Sequence, residues 1–143
     1  MTRTSTTSDP SGSAASRPAD RPVTAVAEGL ESTLAENLGE TLVGIATFDD
    51  DEYDVVYRDD AVSAQYSDSD VRAILEHIQL DAIGAAAYED HHGQSLDATV
   101  RVYDTLVTVS VPVTEAAGVV VVLRADGSHD PYSVVEAVQR AAS

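Results

Sequence analysis

The sequence predicts an α+β domain: a five-stranded antiparallel sheet with three helices, in the order α-β-β-α-β-β-β-α. Three observations support this. Apolar residues recur at helical spacing in three separate stretches, over residues 26–38, 71–82 and 134–142. Between them lie five short runs that either alternate or stay apolar throughout, as strands do. The connections are hairpin-short, so neighbouring strands are expected to run antiparallel.

Residues 1 to 22 (MTRTSTTSDPSGSAASRPADRP) hold Ser, Thr, Pro, Ala and Gly with almost no apolar side chains. Such a stretch buries too little surface to offset its ordering entropy, so it reads as a disordered, solubilising tail. It lacks the apolar run of a secretory signal. Residues 23 to 143 are then one domain, large enough for a single core.

Within that domain the first helix is expected from Thr24, as cap, to Leu38. Val26, Leu30, Leu34 and Leu38 share one face, and Gly39 is placed to end it. "TLVGIATF" is a buried strand by its near-continuous apolar run, and "DDDE" reads as a four-residue loop. "YDVVYR" then alternates, which puts Tyr53, Val55 and Tyr57 on one face and closes a hairpin. A short turn over Asp59 and Asp60 leads to Ser67 and Asp70, whose spacing is that of a capping box. Val71, Ile74, Leu75, Ile78 and Ala82 form the second helix's stripe, expected to weaken near Gly84 and fray into a loop over "AAAYEDHHGQ".

Three strands follow. "SLDATVRVY" sets Leu96, Ala98, Val100 and Val102 against polar neighbours, and "LVTVSVPV" sets Val107, Val109, Val111 and Val113 against Thr108 and Ser110. "GVVVVLR" is apolar throughout, the mark of a central strand covered on both faces. Pro112 ends its strand or marks an edge. Asp130 and Pro131 open the last helix, with Val134, Val135, Val138 and Ala142 as its stripe and His129 in its lead-in.

This order is similar to the roadblock and profilin-like folds, and more loosely to GAF and PAS sensor domains. A second resemblance rests on "YDVVYRDDAVSAQYSDSDVRAILEHIQLDAI" together with "LDATVRVYDTLVTVSV". With their tyrosine-bearing hairpin, Arg-Asp-Asp turn, Tyr-Ser helix start and Thr-Val-Arg strand, these segments resemble a family of small uncharacterised haloarchaeal proteins. That resemblance implies a halophile and brings no site residues with it.

Charge narrows the function classes. All eight basic residues are arginine, against 16 aspartates and 9 glutamates, and lysine is absent. The tail is nearly neutral, whereas residues 23 to 143 carry five arginines and 23 acids, a net charge of −18. Such a surface suits a cytoplasm rich in salt, where at about 1 M the Debye length shrinks to about 3 Å and self-repulsion is screened. No basic patch is available to a phosphate backbone, which argues against direct nucleic-acid binding. The absence of cysteine excludes disulfides, thiolate metal sites and cysteine nucleophiles. The longest unbroken apolar run, Val119 to Leu123, is far short of a membrane span.

Candidate chemistry is sparse. Asp49, Asp50, Asp51, Glu52 and Asp54 cluster, with Asp68 and Asp70 nearby, but neither run has the alternate ligands, turn glycine and terminal glutamate of a calcium loop. His91 and His92 adjoin Glu89 and Asp90, with His77 upstream, yet neighbouring side chains diverge and other elements would have to close a metal shell. "GQSLD" around Ser95 lacks the second glycine of a nucleophile elbow, and no phosphate-binding glycine loop occurs. Tyr53, Tyr57, Tyr66 and Tyr103 are the candidate partner surface, although in a chain with one Phe and no Trp core filling, with the hydroxyls at the rim, is the default use of such tyrosines. The expected function is therefore a non-catalytic cytoplasmic interaction or regulatory module of a halophile, a homodimer or bound to a protein partner. No catalytic residue, cofactor or specific metal is expected. The alternatives are a small-ligand sensor of GAF or PAS type and a metal-assisted hydrolase built on His91 and His92.

The charge reading has a direct consequence. As KCl is lowered from molar concentration to about 0.1 M, where the Debye length reaches about 10 Å, the melting temperature is expected to fall. A melting temperature that stays constant contradicts the reading.

Overall fold

The computed structural model describes residues 22–142 apart from 51, 115, 128 and 129, and only the backbone of 22, 61–63, 82, 83, 85–88 and 90–92. The expected tail thus lies, but for Pro22, outside the described residues, as do Asp51 and His129.

The first helix, α1 (Pro22–Leu38), starts two residues earlier than its sequence suggested. Thr24 therefore sits within the first turn rather than capping it. It is buried, and its Oγ1 has no hydrogen-bond partner among the described residues. Val26, Leu30 and Leu34 bury the expected stripe, joined by Val23 and Ala27. Gly39, at φ +53°, takes the left-handed conformation that ends helices, and a 3-10 turn (Gly39–Thr41) leads on.

Strands β1 (Leu42–Asp49) and β2 (Glu52–Arg58) form the expected hairpin, but with Asp49 paired to Glu52 its loop is two residues, not four. Asp50 stands at φ +56°, a region that aspartate tolerates better than most residues and that two-residue hairpin loops demand. The larger departure lies within β2. Ile45 pairs with Tyr57 whereas Ala46 pairs with Val55, so Val56 is the extra residue of a β-bulge. The bulge turns Tyr57 away from the face that carries Tyr53, which corrects the simple alternation read from "YDVVYR".

After β2 the expected turn is a short helix, α2 (Asp60–Gln65). The next helix, α3 (Asp68–His92), runs unbroken past Gly84 to a left-handed cap at Gly93 (φ +65°), whose N–H donates to the Glu89 carbonyl at 2.8 Å. The expectation of a frayed loop there fails for a physical reason. One mid-helix glycine costs only about 1 kcal/mol, and the alanines at 85–87 that follow it are the strongest helix formers. Strands β3 (Thr99–Val102), β4 (Leu106–Pro112) and β5 (Ala117–Arg124) complete the sheet. The last helix, α4 (Pro131–Ala142), opens with the Tyr132 N–H donating to Asp130 Oδ1 at 3.0 Å.

All strand pairs are antiparallel, in the order β2-β1-β5-β4-β3. The apolar β5 is central, as its composition demanded. Helices α1 and α4 cover one face, where sixteen described residues form a buried cluster that includes Leu30, Leu34, Ile45, Val109, Val121 and Val138. Helix α3 covers the other, where the buried cluster among the described residues is Ala46, Phe48, Leu75, Ile78 and Val120. At about 1.5–3 kcal/mol for each large aliphatic side chain buried, the α1–α4 face holds most of the fold's hydrophobic stabilisation. Among the described residues no helix is long and apolar enough to cross a membrane.

Two substitutions separate tight from forgiving places in this core. A Cβ on Gly118 would lie 2.7 Å from Phe48 Cζ and 2.9 Å from the Val111 carbonyl oxygen. Phe48 is fully packed and the carbonyl is backbone, so Gly118→Ala is expected to cost about 1–3 kcal/mol. Thr24→Val keeps shape and removes a buried hydroxyl that lacks a partner, so it is expected to leave stability unchanged or raise it by about 1 kcal/mol. Calorimetric melts in molar KCl check both; a silent Gly118→Ala contradicts this packing.

Candidate functional site

At about 1.5 Å per residue, the 25 residues of α3 span roughly 37 Å. At about 3.3 Å per residue, an eight-residue strand spans roughly 26 Å, so the helix is longer than any one strand of the sheet it covers. Of its predicted stripe Leu75 and Ile78 are buried, Val71 is half-buried and Ile74 is 44% exposed, while the Ala82 side chain lies outside the description; Leu80, off the stripe, is 61% exposed. Among the described residues the helix is seated on Leu75 and Ile78, with room on either side.

One space, about 390 Å³, lies towards the carboxyl end of α3, with Asp81, Glu89, Ser95, Thr99, Arg101 and Ser110 in its wall. Its charges are engaged with the protein itself. Arg101 on β3 pairs with Asp81 on α3, and Glu89 Oε2 accepts the Leu96 N–H at 2.7 Å. These contacts fix the helix and the loop after it.

The other space, about 330 Å³, lies under the amino-terminal half of α3. The antiparallel register brings the starts of β1 and β4 and the ends of β2, β3 and β5 to this end of the sheet. Val43, Ala46, Leu106, Val120 and Val122 supply its floor, and Leu75 and Ile78 its roof. Arg58, at the end of β2, borders it and donates from Nη1 to Asp68 Oδ1 at 3.2 Å. A capping box holds Asp68 in place. The Ser67 hydroxyl accepts from the Asp70 N–H at 3.1 Å, and Asp70 Oδ2 accepts from the Ser67 N–H at 3.0 Å. These bonds, the Ser67 backbone first and its hydroxyl second, lower the Asp70 pKa below the ordinary carboxylate value.

The four tyrosines named from the sequence are distributed over the molecule. Tyr53 lies under α3, its hydroxyl donating to Gln79 Oε1 at 2.8 Å and its ring 5.1 Å below the Arg72 guanidinium. Tyr57, turned by the bulge, packs against the α1–α4 cluster. Tyr66 and Tyr103 both border the apolar groove, and Tyr103 is 54% exposed. The structure thus brings together two of the four.

Among the described residues no group of three or more His, Asp or Glu could hold a metal ion. His91 and His92 end α3, and their side chains lie outside the description, so the hydrolase candidate has no described geometry.

Sequence reasoning missed the β3 edge. Val100 and Val102, expected only to alternate with polar neighbours, are 43% and 75% exposed. Val100 adjoins a groove of about 630 Å³ shared with Tyr132 and Val135 of α4. The available signal was the polar partners of these valines. Thr99 and Arg101 are the half-buried residues of β3, turned to the α3 side, and the alternation alone did not say which face was covered.

A family model described as Domain of unknown function (DUF7522) matches residues 28–143. No curated protein matches the chain. A solved structure of MglB with tetrameric arrangement is similar to it, with a TM-score of 0.58 over 85% of each chain and 17% sequence identity. That likeness is one of fold, and it places the architecture with the roadblock-like folds. The chain belongs to the DUF7522 family.

Proposed function

We propose that this member of the DUF7522 family is a non-catalytic interaction or regulatory module that works as a homodimer in the salt-rich cytoplasm of a halophile. The observation that carries the reading is the β3 edge. Among the described residues strand β3 pairs with β4 alone, so its outer backbone groups face away from the sheet. Exposed Val100 and Val102 flank them, with Tyr103 beyond. An edge strand of this kind is a template for another strand unless charge, proline or a covering element blunts it, and β3 has no proline and a single charged residue, Arg101, turned towards α3. A two-fold axis beside β3 would continue the sheet into a second copy and bury both valine pairs.

Further support comes from the use made of charged groups on the α3 side. Arg101 with Asp81 and Arg124 with Asp59 tie elements together, and Arg124 Nε also donates to the Glu40 carbonyl at 2.9 Å. These are structural assignments. The tetrameric arrangement of MglB, on a similar fold, is in keeping with assembly through exposed faces. Tyr66 and Tyr103 belong to the candidate partner surface. The acidic, lysine-free composition supports the halophile and cytoplasmic parts of the reading.

Analytical ultracentrifugation in molar KCl tests it. The wild type is expected to sediment as a dimer. Val102→Glu, at a residue already 75% exposed, is expected to leave circular dichroism unchanged while weakening dimerisation by about a hundredfold, or about 2.7 kcal/mol. A wild-type monomer at high concentration, or a dimer indifferent to the glutamate, overturns the pairing.

A further inference from the structure

We propose that the groove under the amino-terminal half of α3 is a binding site for a small aliphatic carboxylate. Its carboxylate would lie on Arg58 and its chain across the floor of Val43, Ala46, Val120 and Val122. The inference is independent of the β3 pairing and adds a ligand to the module.

Three features of the groove specify that chemistry. The first is its lining. The chain has 25 acidic residues, and none borders this groove among the described residues. The space of about 390 Å³ beside it, by contrast, is walled by Asp81 and Glu89. Excluding carboxylates from the lining of one apolar groove on so acidic a surface leaves a place where an anion meets little local repulsion, the exposed Asp68 on Arg58 being its nearest described source.

The second feature is the placing of its one cation. Arg58 is the only charged residue among those that border the groove, and its side chain is 24% exposed. A guanidinium presents five donors in a fork that matches a carboxylate, and the bond to Asp68 uses Nη1. Asp68 itself is 95% exposed, and a pair with one partner so fully in water is held weakly. It is therefore a competitor that a better-desolvated carboxylate can displace. A cationic ligand would be repelled by Arg58, and Asp68, already bonded to that guanidinium and 95% exposed, offsets it little.

The third feature is shape. The groove crosses the strands at one end of the sheet, from Arg58 on β2 to Tyr103 and Thr105 beyond β3. Polar groups thus stand at its two ends and aliphatic side chains between them. Its volume of about 330 Å³ is at the small end of the range for small-molecule pockets, which fits a short chain rather than a fused-ring cofactor.

The test uses the full chain in molar KCl with octanoate as probe, and octan-1-ol and octyltrimethylammonium as head-group controls. Octanoate is expected to bind saturably and one to one, shifting the methyl resonances of Leu75, Ile78, Val120 and Val122. Arg58→Gln is expected to weaken octanoate by about tenfold to hundredfold, the worth of a charge-assisted hydrogen bond, and to leave octanol unchanged. Asp68→Asn, which removes the competitor, is expected to tighten octanoate. The proposal is overturned if octanoate does not saturate, if octyltrimethylammonium binds as well, or if Arg58→Gln keeps its fold and its affinity. It is equally overturned if the same methyl shifts arise from protein concentration alone, because a second copy then covers the groove.

Discussion

A sheet whose central strand is apolar on both faces must be covered twice. Strand β5 imposes that condition: Val119, Val121 and Leu123 point to one face and Val120 to the other, each essentially inaccessible to water. The chain meets the demand unequally, with two helices and most of the core on one side and one long helix on the other. Among the described residues, the two spaces beside α3 follow from that imbalance. The β3 edge is exposed for a separate reason, its place at the end of the strand order.

Much of this was legible in the sequence where one side-chain period decides an element. The fourfold spacing of Val26, Leu30 and Leu34 specified α1, the unbroken valines specified β5 as the central strand, and Ser67 with Asp70 and Asp130 with Pro131 specified two helix starts. The candidate site was less legible. A bulge adds one residue without a compositional mark, so the alternation of "YDVVYR" assigned Tyr53 and Tyr57 to one face when the register puts them on two. The continuity of α3 past Gly84 was set by the alanines after the glycine and the left-handed cap at Gly93, which outweigh one poor helix former. The exposure of Val100 and Val102 is a property of strand order, and strand order is not written in any local pattern.

Charge plays two separate roles. The acids are spread over the surface, where high salt screens them. The arginines act locally and between elements: Arg58 joins β2 to α3, Arg101 joins β3 to α3, and Arg124 joins β5 to the segments before β1 and after β2. Guanidinium suits this use because its planar fork holds a carboxylate in one geometry, whereas an ammonium is a strongly hydrated point charge. Such links join α3 and the outer strands across an acidic sheet, the exposed Arg58–Asp68 pair most weakly.

Native-state hydrogen exchange, at a protein concentration where the monomer predominates, tests the unequal coverage most directly. With one face nearly complete and the other resting on Leu75 and Ile78, the amides of α3 are expected to exchange through a sub-global opening of distinctly lower free energy than those of α1 and β5. The α1 and β5 amides should report global unfolding together. If all three elements merge on a single opening free energy, the two faces are equally secured, and the account of α3 as the loose cover is wrong.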